Sequence, residues 1–117
     1  MTEFDRCAPW IEAALEHTGG FFNLEDVRER VISGEAIFWP GEQSAVVTEW
    51  GDFPRGQRVL NFWLAGGDLG ELRRMHDAIS AWAGAQGATH TTIAGRAGWS
   101  KALGYRTAWT AMVRELA

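Results

Sequence analysis

Arg96 stands between Gly95 and Gly98, where the extended-looking run 88–93 gives way to Trp99-Ser100-Lys101-Ala102-Leu103. A guanidinium at a strand-to-helix junction can hold a phosphate or a carboxylate through two parallel hydrogen bonds. The same side chain can instead stack on Trp99 or Trp82 and pair with an acid. Gly66, Gly67 and Gly70 form a second such setting around Asp68, between a long apolar run and a helical pattern. Glycine lets a ligand approach the backbone closely, and the free N–H groups that begin a helix attract anions. The competing reading is a plain turn. Asp68 and Glu71 have capping-box spacing, and their carboxylates would take up those N–H groups and repel a phosphate. Glu49, in a run of β-formers, is the carboxylate best placed to accept a proton, with Asp52 in the turn that follows. Both also read as a solvated strand end. Asn61 is the odd polar residue in the apolar run 59–64. It either faces a cleft or satisfies an irregularity in a sheet.

Other chemistries find little footing. His17, His76 and His90 are not spaced as metal ligands with another donor, so no metal is expected. Cys7 has no evident partner base and reads as a buried, idle thiol. As the one cysteine it cannot form an internal disulfide, which suits a reducing compartment. No serine nucleophile elbow is present. The net charge is −4 without a basic run, which argues against nucleic acid as a partner. No signal peptide or apolar run of spanning length is seen, so a soluble cytoplasmic protein with no membrane partner is expected.

The elements that position these residues follow from periodicity. Residues 5–17 bring Trp10, Ala14 and His17 near one face, with Ile11 and Leu15 beside them, and Gly19-Gly20 closes the helix. Asn23 reads as the N-cap of a helix running through Val27 and Val31 to Gly34. Residues 35–39, 44–50 and 57–65 read as strands in hairpin connection, the last buried on both faces. A helix over 69–86, a strand over 88–93, a short helix 99–103 and a final strand over 106–116 complete the order. Seven Trp in a single domain, 1–117, predict an aromatic-heavy core. The mixed order predicts an α+β fold with a largely antiparallel sheet.

The close Ser100-Lys101-Ala102-Leu103-Gly104-Tyr105 resembles the Tyr-x-x-Leu-Gly-Phe/Tyr ending of the GNAT N-acetyltransferase fold. Gly66-Gly67, Trp82-Ala83 and Gly95-Arg96-Ala97-Gly98-Trp99 with Leu103 are more similar still to the small GNAT-like proteins of bacteriophages and prophages. The resemblance runs from about Asn23 onward. It implies a GNAT-like fold, with a central, mostly antiparallel mixed sheet flanked by helices. It implies that the strand 59–64 splays from the strand 89–93 to make an acyl-CoA cleft. Acetyl-CoA would then lie on Ala65, Gly66, Gly67 and Gly70, with Arg96 as a further phosphate ligand. Glu49 and Asn61 would serve the amine. Ser100 falls in the register where GNAT enzymes place the tyrosine that protonates the leaving thiolate. Tyr105 matches the closing aromatic and reads as core packing. Two features depart from the enzymes. The Arg or Gln that leads their CoA loop is absent, and a serine hydroxyl is a far poorer proton donor than a phenol. The departures favour a non-catalytic interaction or virion-associated component, with other phage structural proteins as partners, in the bacterial host or the virion. The alternative is an acetyl-CoA-dependent N-acetyltransferase acting on a small-molecule or protein amine.

Overall fold

The computed structural model describes residues 2–94 and 98–116, with backbone only for 98–100. Helix α1 (Glu3–Leu15) begins at a reciprocal cap, in which Thr2 and Asp5 each accept the other's backbone N–H. Phe4, Cys7, Ile11 and Leu15 recur at helical spacing and form its buried stripe. The helix stops at Leu15, so His17 lies in the turn that follows and not on the helix. Helix α2 (Leu24–Ser33) has the expected Asn23 cap, made reciprocal by Asp26, and ends on Gly34 at φ 84°. That left-handed angle is one glycine adopts without a Cβ clash.

Strands β1 (Ile37–Pro40), β2 (Ser44–Asp52) and β3 (Arg58–Gly67) follow in antiparallel hairpins. Helix α3 (Leu69–Ala85) then crosses over to β4 (His90–Ile93), which pairs with β3 in parallel. The sheet order is β1-β2-β3-β4. The short helix α4 (Gly98–Leu103) ends at Gly104, φ 75°. The α+β class, the mixed sheet and the flanking helices are those expected.

Each face of the sheet carries a core. Ala45, Val47, Trp63 and Leu64 pack with Phe4, Cys7, Ile11 and Val27 from α1 and α2. Val46, Leu60 and Phe62 pack with Leu72, Ile79 and Ala83 from α3. Between the cores, β3 holds one irregularity. Thr48 pairs with Phe62 and Val47 with Leu64, so Trp63 is an unpaired extra residue. Leu60, Phe62, Leu64, Leu72 and Ile79 are buried as expected, whereas Trp82 and Ile93 are half-buried. Trp99's side chain lies outside the described residues.

The sequence expectation fails at 106–116. No strand forms there, and Trp109, Met112, Val113 and Leu116 are exposed. Alternation and β-branched residues supply propensity, but a strand exists only with a ladder partner for its N–H and C=O groups. This segment has none among the described residues.

Candidate functional site

β3 and β4 run together from Val59 opposite His90 to Phe62 opposite Ile93. β4 then ends, while β3 continues to Gly67. The ladder therefore ends beside the extra Trp63. Every residue of β4 is paired, and residues 95–97 beyond it lie outside the described residues, so the splay implied by the resemblance is not seen here.

On the α1/α2 face, one residue pair before the ladder ends, four polar side chains meet. Thr92 Oγ1 donates to Asn61 Oδ1 at 2.8 Å. Asn61 Nδ2 donates to Glu49 Oε1 at 3.1 Å across the β2–β3 ladder. Glu49 Oε2 accepts from Arg30 Nη1 of α2 at 3.3 Å. The Arg30 guanidinium also lies over the rings of Phe22 and Trp63, at 5.1 and 5.3 Å. Glu49 and Asn61, chosen separately from the sequence, are thus direct partners. The side chains of both are engaged, with Glu49 tied to a cation. A shallow groove of about 540 Å³ opens beside Arg30, with Phe22, Asp26 and Glu35 in its wall. Asp52 stands apart at the exposed end of β2, 3.4 Å from Arg58.

On the α3 face a second chain of contacts closes the same region. The Tyr105 hydroxyl is 2.9 Å from His76 Nε2 and 2.8 Å from Thr91 Oγ1. His76 Nδ1 is 3.2 Å from Asp77 Oδ1, and its ring lies 4.8 Å from that of Phe62. Burial pushes the phenol above its ordinary value, against the opposing Thr91 hydrogen bond. Tyr105 is half-buried as expected of a packing residue. Its hydroxyl, however, fastens the end of α4 to α3 and β4. Nothing local in the sequence marks Thr92, Arg30 or His76 as partners, because each contact spans 19 residues or more.

The presumed cofactor loop is occupied from within. Ala65 pairs with Val46 and packs in the α3-side core. A Cβ on Gly66 would strike the carbonyl of Trp10, so the helix α1 rests directly on its backbone. Gly67, at φ 119°, lies against Gln43 and Ser44. Asp68 caps α3 by accepting the Glu71 N–H at 2.8 Å. The capping box stays half-made, a correction to the spacing argument. The Glu71 carboxylate does not return to Asp68. It accepts from the N–H groups of Glu42 and Gln43 at 3.1 and 2.9 Å and from the Ser44 hydroxyl. Three donors on the β1–β2 turn outcompete one at the helix start. Asp68 N–H in turn donates to the Gln43 carbonyl at 3.0 Å. Gly70 sits in the first turn of α3 with room for a methyl group. A CoA pyrophosphate fits this cradle poorly, because its glycines back onto protein and a carboxylate stands at the helix start. Arg96 and the Ser100 side chain lie outside the described residues.

No family model and no curated protein matches the chain. Solved structures do. One described as "a probable acetyltransferase" superposes with a TM-score of 0.71 over 98% of this chain and 93% of its own, at 9% identity. The protein TTHA1254 from Thermus thermophilus superposes with a TM-score of 0.60 over all of this chain and 95% of its own, at 14% identity. The fold is therefore GNAT-like.

Proposed function

We propose that this domain is a GNAT-like scaffold whose acyl-CoA loop is given over to internal support, and that it acts as a non-catalytic interaction component. The observation that carries the reading is the state of residues 65–71. Gly66 bears α1, Gly67 bears the start of β2, and Glu71 clasps the β1–β2 turn. An incoming pyrophosphate would meet Asp68 at the N-terminus of α3. The phage or prophage attribution rests on the motif residues Gly66-Gly67, Trp82-Ala83 and Gly95-Arg96-Ala97-Gly98-Trp99 with Leu103 alone. The solved neighbours speak to the fold and to nothing narrower.

A thermal-shift titration with acetyl-CoA tests the reading. A ligand that binds only the folded state raises the melting temperature by mass action. Millimolar acetyl-CoA is expected to leave it unchanged.

One observation favours the alternative, an acetyl-CoA-dependent N-acetyltransferase: the β3–β4 ladder ends one residue pair beyond Asn61, the partner of Glu49, while β3 runs on to Gly67. Under that reading, acetyl-CoA raises the melting temperature and Arg96→Ala removes the rise. Asp68→Asn, which takes away the charge that repels phosphate, strengthens it. Turnover of acetyl-CoA with an amine would replace the scaffold reading outright.

A further inference from the structure

We propose that the β1–β2 turn is a carboxylate-binding site, held shut in this chain by Glu71 acting as a tethered internal ligand. The turn has tied off its acceptors and left its donors to converge. The carbonyls of Gly41 and Glu42 accept from the Arg6 guanidinium at 2.6 and 3.0 Å. The Gln43 carbonyl accepts from the Asp68 N–H at 3.0 Å, and the Ser44 carbonyl from the Gly41 N–H at 2.8 Å. What remains is the N–H of Glu42, the N–H of Gln43 and the Ser44 hydroxyl, and all three meet one carboxylate. Oε2 takes the first and Oε1 the other two, so both oxygens of a planar group are served. Ser44 is fully buried, which leaves its hydroxyl no bulk water to fall back on.

Gly41 supplies an independent argument. A Cβ there would overlap Glu71 Oε1 and Ser44 Oγ. Gly41 is not among the glycines with positive φ, so the turn itself does not call for glycine. The missing side chain makes room for an oxygen. Arg6 and Arg74 add favourable charge around the carboxylate. A carboxylate suits the site better than a phosphate, whose further oxygens would find no donor left in the turn. The Met75 sulfur, 3.4 Å from Ser44 Oγ, offers none. A tethered side chain competes as if present at a concentration on the order of millimolar. Free carboxylates therefore reach the turn only when Glu71 is removed or drawn away with the 65–71 loop. The inference shares the Glu71 clasp with the scaffold reading but fails separately from it. Acetyl-CoA binding by the native chain would end that reading and leave the behaviour of the turn toward carboxylates standing.

Replacement of the internal ligand by a free one is the test. In sodium chloride, Glu71→Ala should melt below the native chain. With formate or acetate in place of chloride at equal concentration, it should recover a few degrees beyond any change the native chain shows. Phosphate should give no such extra gain. Adding Gly41→Ala to Glu71→Ala fills the vacated space and should abolish the recovery. If Glu71→Ala does not fold in chloride, Glu71→Ser takes its place with the same expectations. The proposal is overturned if formate and acetate stabilise the variant no more than the native chain, or if the recovery survives Gly41→Ala. A recovery with phosphate and not with formate would also overturn it, by assigning the turn to a different anion.

Discussion

At the scale of the residue, Glu71 does more than any glycine near it. Its carboxylate joins the start of α3 to the β1–β2 turn through two backbone N–H groups and the Ser44 hydroxyl. The Ser44 hydrogen bond first, and the Gln43 N–H after it, hold this carboxyl below the ordinary 4.5. A group whose folded value is depressed contributes stability that is complete above its unfolded value and fades as pH falls through the folded one. Glu71→Gln should therefore lower the melting temperature by a few degrees at neutral pH. It should also flatten the loss of stability below pH about 4.5, leaving the slope due to Glu3 and Asp5, which Arg6 and Arg28 depress in the same direction. A melting series from pH 3 to pH 7 reads both effects; parallel curves for the two proteins would refute the role given to Glu71. Asn61 offers a second check. Asn61→Ala leaves Thr92 and Glu49 each short of a partner inside the sheet. It should cost about 1 kcal/mol in urea unfolding, and Asn61→Asp, facing Glu49 with a like charge, should cost more.

At the scale of the element, the two glycines after Ala65 are needed for packing. Gly66→Ala would push a methyl group into the backbone of α1 at Trp10, an atom that no rotamer change can move aside. Overpacking of that kind costs about 1–3 kcal/mol. Gly70→Ala, in the first turn of α3 where a methyl group would make only ordinary contacts with the Asp68 and Arg74 side chains, should be neutral or slightly stabilising by helix propensity. Denaturant melts of both variants without any ligand separate packing from phosphate binding, because glycines kept only for a phosphate would show no penalty. Much of this was legible in the chain. Asn23 as a cap, Gly34 and Gly104 as stops, and the doubly buried strand at 57–65 follow from local rules that tertiary structure seldom overrides. The irregularity expected near Asn61 is there, at Trp63. What escaped was long-range. Capping-box spacing could not reveal that Glu71 would turn to residues 42–44. Alternation at 106–116 carried no information about whether a neighbouring strand would be present. Glu49 and Asn61 were each visible as odd polar residues, but their contact depends on a β2–β3 register that no local pattern fixes.

At the scale of the whole molecule, the sheet divides two cores. The α1/α2 side holds Cys7 with no exposure, its sulfur 3.9 Å from the Ser44 carbonyl. Burial pushes this thiol above its ordinary value. A protonated, covered thiol reacts only when α1 lifts from the sheet. Labelling with iodoacetamide should be negligible in the native protein. It should rise with urea in step with the loss of circular dichroism, making Cys7 a reporter of global opening. Fast labelling without denaturant would mean that α1 detaches on its own.

The extra residue at Trp63 has a consequence of a different kind. Counted from Leu60 by strict alternation, Leu64 and Gly66 would turn toward α3. The inserted position shifts the count by half a period, so Trp63 and Leu64 share the α1 side and Gly66 meets Trp10. β3 is in effect two short strands joined in antiphase. Its first half is keyed to β4 and its second half to α1, and the joint lies where the β3–β4 ladder ends. Positions of like parity upstream and downstream of Trp63 therefore face opposite cores, and any redesign of this strand has to keep two parities.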